Sequence, residues 1–257
     1  MKNKENNKHA ARLMAVAILL AVTATAGKAQ VRTVENRPYT DLRIFHYGVL
    51  VGLHMQDLEL TNVGPTTVNY ADGTSRDVMV STDQNKWDAG FTVGVLGELR
   101  LNTNFQLRIA PAMLFGTRNI VFRNYSERDA NGQPAEQRQT MKTAYVSAAM
   151  ELIMAPERTN NHRPYFLVGL NPMLNLTPKD DDYIKLKRGD CFLEAGIGCD
   201  FYLPYFKLRP ELKFMYGLTN SLDKGHKDHL RNESMLPYAQ SVSKARSKII
   251  ALTFYFE

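Results

Sequence analysis

The chain has 257 residues, of which 44% are hydrophobic and 23% charged, with two cysteines and a formal net charge of +6. Residues 1–29 hold five of the basic residues (Lys2, Lys4, Lys8, Arg12, Lys28) and one acid (Glu5), which leaves 27 basic and 25 acidic residues beyond them, a net +2. A nucleic-acid partner therefore finds little support in the charge, and no later stretch approaches the roughly 20 apolar residues of a membrane-spanning helix.

Lys2, Lys4, Lys8 and Arg12 precede an uncharged run, Leu13 to Ala24, that is apolar apart from Thr23. Ala24-Thr25-Ala26 and Gly27-Lys28-Ala29 then offer small-x-small cleavage sites. This order predicts a secretory signal peptide over residues 1–29, leaving Gln30 as the new N-terminus. The apolar run is about a dozen residues, too short for an anchor. Residues 30–43 read as a periplasmic N-terminal segment and 44–257 as one all-β domain.

The first strand is expected over Ile44–Leu58. Phe45, Tyr47, Val49, Val51, Leu53 and Met55 take one face, and His46, Gly48, Gly52, His54 and Gln56 the other, with Leu50 the exception. Large apolar residues alternate here with small or polar ones at period two. The second strand, Trp87–Leu101, places Phe91, Val93, Val95 and Leu99 against Asp88, Gly90, Gly94, Glu98 and Arg100. After the Asn102-Thr103-Asn104 turn, the third runs from Phe105 to about Arg118. It sets Leu107, Ile109, Met113 and Phe115 against Gln106, Arg108, Ala110 and Gly116, and its Pro111 demands a bulge or a missing ladder bond.

The fourth strand, about Thr140–Met154, puts Tyr145, Ser147 and Glu151 on the inner face, although its Ala and Met content also permits a helix. The fifth is Pro164–Leu176. The sixth, about Cys191–Leu203, turns Glu194, Gly196, Gly198 and Asp200 inward. Cys191 and Cys199 lie on its other face. Eight residues of extended chain put them roughly 26 Å apart, beyond disulfide reach, and the same distance removes them as a metal site. The seventh strand, Phe206–Leu218, opposes Leu208, Leu212, Phe214 and Tyr216 to Arg209, Glu211 and Lys213. The eighth, Ser247–Glu257, carries Ile250, Leu252, Phe254 and Phe256 as an outer stripe. Phe254 and Phe256 match the alternate aromatics that barrel assembly machinery recognises.

The connections after strands two, four and six are short, whereas those at about 59–86, 119–139, 177–190 and 219–246 are long and polar. Short and long connections alternate as short periplasmic turns and long outside loops do in outer-membrane barrels. Since only helices and closed barrels satisfy the backbone in hydrocarbon, the reading is an eight-stranded antiparallel transmembrane up-and-down β-barrel of OmpX/OmpA-like architecture. Its surroundings are outer-membrane lipid.

The inner faces collect His46, His54, Glu98, Arg100, Arg108, Glu151, Glu194, Asp200, Arg209, Glu211 and Lys213. Acids and bases nearly balance, so a paired lumenal network is expected; an ion path or a catalytic site is the sharper alternative. No nucleophile–base pair, phosphate loop, zinc motif or triad motif stands out. Asp180-Asp181-Asp182 lacks the glycine-spaced ligands of a calcium loop, and the neighbouring Lys185, Lys187 and Arg188 could meet lipid phosphates. His226 and His229 read as solvated loop residues. No cofactor, metal or catalytic residue is assigned.

Val34-Glu35-Asn36-Arg37-Pro38-Tyr39-Thr40-Asp41-Leu42-Arg43, Phe45-His46-Tyr47-Gly48, Trp87-Asp88-Ala89-Gly90-Phe91, Asn161-His162-Arg163-Pro164-Tyr165, Gly198-Cys199-Asp200-Phe201-Tyr202-Leu203-Pro204 and Leu208-Arg209-Pro210-Glu211-Leu212-Lys213-Phe214 stand in this order. Together they resemble the PorT family of outer-membrane β-barrels from Bacteroidetes-type bacteria, from about Val34 to Glu257. The resemblance implies an integral outer-membrane barrel without enzymatic activity, associated with the type IX secretion system and with other secretion components as partners. The competing readings are a structural or adhesive envelope barrel with ligand-binding loops and, behind it, a narrow pore or barrel enzyme.

Overall fold

The computed structural model describes residues 34–70, 72–177, 182–230 and 232–257. The expected signal peptide and the acids Asp180 and Asp181 lie outside these residues. Among the described residues eleven strands follow in chain order: β1 (Phe45–Asn62), β2 (Thr66–Asn69), β3 (Ser75–Val78), β4 (Val80–Asp83), β5 (Asp88–Arg100), β6 (Phe105–Arg128), β7 (Pro134–Met154), β8 (His162–Asn175), β9 (Gly189–Tyr202), β10 (Lys207–Gly217) and β11 (Val242–Phe256). Eight of them close a ring in the order β6-β5-β1-β11-β10-β9-β8-β7, with β7 pairing back onto β6. Every pair in the ring is antiparallel, and β1 closes onto β11 from Val49↔Phe256 to Leu60↔Ala245. No helix among the described residues is long and apolar enough to cross a membrane.

The eight expected strands are present, and the fourth, Thr140–Met154, is strand rather than helix. The long connection expected at 119–139 is corrected. It is not a loop, because β6 and β7 continue through it as a paired hairpin to Asn124↔Ala135 and turn over Asp129–Gln133. The first long connection also holds structure. Strands β2 and β3 form a hairpin, and β4 pairs with the far end of β6. Turns at the opposite end are tight. At one of them the Asn102 side-chain oxygen accepts from the backbone N–H of Asn104 and of Phe105, both at 2.8 Å.

The wall changes character along its height. From the short-turn end to about Met55 on β1 and Ile250 on β11, large apolar side chains point out and polar ones point in; Tyr47 is 77% exposed and His46 7%. Farther along the same strands the phase reverses. Asp57, Glu59, Lys142, Lys244 and Arg246 face outward, while Leu58, Ile120, Phe122, Met141 and Ala245 are buried inside. Outward apolar residues belong against hydrocarbon and outward charges belong in water, so the strands run past the apolar band and continue as an ordinary soluble β-structure.

Pro111 sits in β6 without a bulge. Gly94↔Ala112 and Gly97↔Ile109 keep one register on both sides of it, and the β5–β6 pairing lapses only between them. The missing proline N–H thus shows as lost ladder rather than as bent chain. Cys191 and Cys199 are free and lie opposite Pro172 and Pro164, at the two ends of the β8–β9 ladder.

Candidate functional site

The lumen begins with what the strands can point into it. Arg108 on β6 is fully buried and touches three carboxylates: Glu98 on β5 at 3.2 Å, Glu151 on β7 at 2.9 Å and Glu211 on β10 at 2.8 Å. Arg209 on β10 meets Glu98 and Asp200, both at 2.6 Å, and also Glu257. Lys213 lies 2.7 Å from Glu151, 3.5 Å from Glu211 and 3.0 Å from the Tyr255 hydroxyl. Lys207 pairs with Glu257. The network therefore joins β5, β6, β7, β9 and β10 across the barrel axis. A charge taken out of water is tolerated only when paired and hydrogen-bonded, and the aromatic walls add to this: the Arg108 guanidinium lies 4.4 Å from the Tyr255 ring centroid, and that of Arg209 4.9 Å from Tyr165.

The eleven inner-face residues named from the sequence do not all meet. Glu98, Arg108, Glu151, Asp200, Arg209, Glu211 and Lys213 form the network. Glu194 is fully buried beside it and accepts from the Asn171 amide at 3.3 Å. His46 lies 3.7 Å from Glu257 at the short-turn end. His54 sits nearer the long-loop end, with Nδ1 3.0 Å from the Thr92 hydroxyl. Arg100 is a correction: it is half-buried at the rim, outside the network, and donates to the carbonyls of Leu42 and Asn102, both at 3.4 Å. Being last in β5, it passes the end of the lumen. Phe254 and Phe256 face outward, half-buried, and Phe256 lies 5.9 Å from Phe206.

Sequence reasoning missed Lys207, Glu257, Tyr165 and Tyr255. The strand parity that selected Arg209 and Glu211 also selects Lys207. It missed Arg118 as well, a fully buried guanidinium that donates to Gln56 at 3.1 Å and Ser247 at 3.0 Å.

Both ends of this polar layer are closed. At the short-turn end, residues 36–42 lie across the barrel as a strap with one 3₁₀ turn at Thr40–Leu42. The Asn36 N–H donates to the Asn161 side chain at 2.9 Å, Arg37 donates to the Glu257 carbonyl at 2.9 Å, and the Tyr202 hydroxyl donates to Asp41 at 2.7 Å. Arg158 clamps the strap from outside, donating to the Asn36 carbonyl at 2.6 Å with its guanidinium 3.7 Å from the Tyr202 ring centroid. Toward the other end, a cavity of about 20 Å³ separates the network from a layer holding Leu114, Tyr145, Met173, Phe192, Met215 and Ile249. It has room for about one water.

Above this layer stands an apolar plug. Ile184 and Leu186 from one loop, and Leu222 and Tyr238 from another, pack onto Leu58, Val80, Ile120, Phe122 and Met141. Gln139 pins the first loop by donating to the Ile184 carbonyl at 2.9 Å and accepting its N–H at 3.0 Å. Phe122, Tyr183 and Tyr238 meet with ring centroids 5.2–5.7 Å apart. Outside the plug the loops frame two clefts of opposite charge. One, of about 300 Å³, is lined by Lys185, Lys224, Lys227, His226 and Asp223. The other, of about 440 Å³, is lined by Tyr70, Tyr183, Tyr238, Asp72, Glu127, Glu233 and Arg76.

Such a lumen ties strands together and fills the space between them, as expected of a barrel this narrow. No group of three or more His, Cys, Asp or Glu residues among the described residues is arranged to hold a metal ion.

A family model described as an outer membrane protein β-barrel domain matches residues 28–223. Solved structures are similar at low identity. The outer membrane protein OprG from Pseudomonas aeruginosa is 12% identical with a TM-score of 0.45, over 82% of this chain and 93% of that one. Neisserial surface protein A is 12% identical with a TM-score of 0.40, over 82% and 97%. Ail of Yersinia pestis, solved with the heparin analogue sucrose octasulfate, is 11% identical with a TM-score of 0.35, over 82% and 96%. No curated protein matches the chain.

Proposed function

The chain belongs to the outer membrane protein β-barrel domain family and is a protein of the outer membrane; from that premise we propose that it is a non-enzymatic barrel of the PorT type that assists type IX secretion or surface-protein assembly. One observation carries the non-transport, non-catalytic part of this reading. The lumen is filled, by an ionic layer under a strap at one end and by an apolar plug at the other. A barrel with no open interior acts through its ends. The secretion part rests on the resemblance of the Val34–Arg43, Asn161–Tyr165 and Leu208–Phe214 stretches to that family. In this reading the partners are outer-membrane lipid, other secretion components and the barrel assembly machinery, with Phe254 and Phe256 as its recognition residues.

Deleting the gene should stop export of a type IX reporter cargo, and plasmid-borne protein should restore it. Export that continues unchanged in the deletion strain overturns the secretion role. Purified protein in planar bilayers should show no steady conductance.

A structural or adhesive barrel is the second reading, favoured by the two clefts of opposite charge between the long loops. Shortening those loops should then abolish attachment while leaving export intact.

A further inference from the structure

The lipid-facing wall is not uniformly convex. Where β5, β6 and β7 run side by side, it holds a mostly apolar groove of about 470 Å³ between Phe91, Phe115 and Ala144. Phe91 and Phe115 are cross-strand partners stacked with centroids 5.1 Å apart, and Phe115 pairs in turn with Ala144. The floor is thin because Gly90 and Gly116 belong to it. A Cβ on Gly116 would come within 2.5 Å of the Gln56 amide nitrogen, and one on Gly90 within 2.3 Å of His54 Nε2. Lumenal side chains thus press against the inside of the wall at the very place where the outside is hollow.

Height decides what can fill the hollow. Phe91 stands about ten residues along β5 from the short-turn end; at about 3.3 Å per residue and a tilt near 40° this is roughly 25 Å, the height of the apolar band of such barrels. The groove therefore opens at the top of the hydrocarbon, under the headgroups of the outer leaflet. Lys142, exposed and outward-facing, pairs with Thr117, one step above Gly116 and two above Phe115, and lines the upper edge. A second groove, of about 430 Å³ beside Val146, Ala148, Pro172 and Leu174, lacks this feature: its charged lining residue is Asp190.

We infer that the groove between Phe91, Phe115 and Ala144 is a binding site for a phospholipid of net negative charge in the outer leaflet, its acyl chain lying against the phenylalanines and its anionic headgroup meeting the Lys142 ammonium. Hydrocarbon is the solvent at this height, and a hollow of this size between aromatic walls selects an ordered chain. The cation above it selects an anionic headgroup, which the Asp190 edge of the second groove disfavours.

The test is native mass spectrometry of the full chain folded in detergent and titrated with phosphatidylglycerol or phosphatidylcholine of identical chains; a heat-modifiable gel shift confirms that each variant is folded. The wild type should retain phosphatidylglycerol in at least several-fold preference. Lys142→Ala should abolish the preference, and Ala144→Trp, which fills the groove from the lipid side, should abolish retention; Ala144→Leu serves if the tryptophan variant does not fold. Ala148→Trp, in the second groove, should leave the preference unchanged. Equal retention of the two lipids by the wild type, or retention unchanged by Lys142→Ala or by filling at Ala144, overturns the assignment.

Discussion

The two halves of the barrel close the same narrow space by opposite means. At the short-turn end, Arg108, Arg209 and Lys213 are wired to carboxylates on β5, β7, β9 and β10. At the long-loop end, Phe122, Ile120, Leu58 and Met141 pack with loop residues Leu222 and Tyr238. The first half sits within the apolar band, where the outside of the wall is already hydrophobic and the inside must take the polar positions. The second half stands in water, where the outside is polar and the inside becomes a conventional core. One set of strands thus carries two cores whose polarity is the inverse of the medium outside, and the two should fail differently.

The largest effect is expected from Arg108→Leu. It removes the shared partner of Glu98, Glu151 and Glu211 and leaves buried carboxylates crowded together, which destabilises by about 3–5 kcal/mol. Urea titration of the protein in vesicles, read by the heat-modifiable gel shift, measures it; wild-type stability in this variant would mean that the network is wet and unimportant. Leu222→Ala in the plug should destabilise by less, about 2–3 kcal/mol, because a loop-borne site can partly collapse into the space. It should raise protease sensitivity of residues 219–241 before the barrel melts.

A double-mutant cycle sharpens the contrast. Glu151→Gln and Lys213→Met together should destabilise less than the sum of the two alone, with a coupling energy of about 1–2 kcal/mol, since the double variant leaves no stranded charge. Strict additivity would break the picture of a connected layer. Asp41→Ala, which removes the strap's bond to Tyr202, should reduce stability by about 1 kcal/mol and speed hydrogen exchange of residues 36–42 in particular.

The smallest effect lies on the hairpin above the membrane. The Arg123 guanidinium hydrogen-bonded to Glu136, with Arg138 beside it, holds that carboxyl below its usual range. A depressed carboxylate pKa contributes stability that is present above the unfolded value and lost as pH falls through the folded one. The pair is exposed, so added salt should erase the contribution. NMR titration of Glu136 with and without salt checks the sign.

The part of the chain that was readable from residues alone is the part inside the apolar band. There the two faces differ in both size and polarity, and strands such as Ile44–Leu58 and Phe206–Leu218 declare themselves. The reading stopped near Arg118 because the alternation there changes phase: Ile120 and Phe122 continue inward positions that farther down held Gln106 and Arg108. With charges outside and apolar residues inside, the segment looked like a polar loop with scattered hydrophobics. The lumenal charges were legible from parity, but their pairing was not, since parity places Arg100 with Arg108 while register leaves Arg100 on the rim. The strap was quoted from the sequence as a resemblance; its docking onto Tyr202 and Asn161 depends on positions more than a hundred residues away and has no local signature.

The Arg37–Glu257 bond of that strap spans 220 positions. Its other anchors come from the β7–β8 connection and from β9, so it has nothing to hold until most of the sheet exists. Contacts this distant in sequence form late, because the chain entropy they demand is spent before they return anything. The strap is therefore a clasp fastened on a nearly finished vessel: a barrel with residues 36–42 protected from exchange has already brought the β7–β8 connection, the end of β9 and the end of β11 together beneath it.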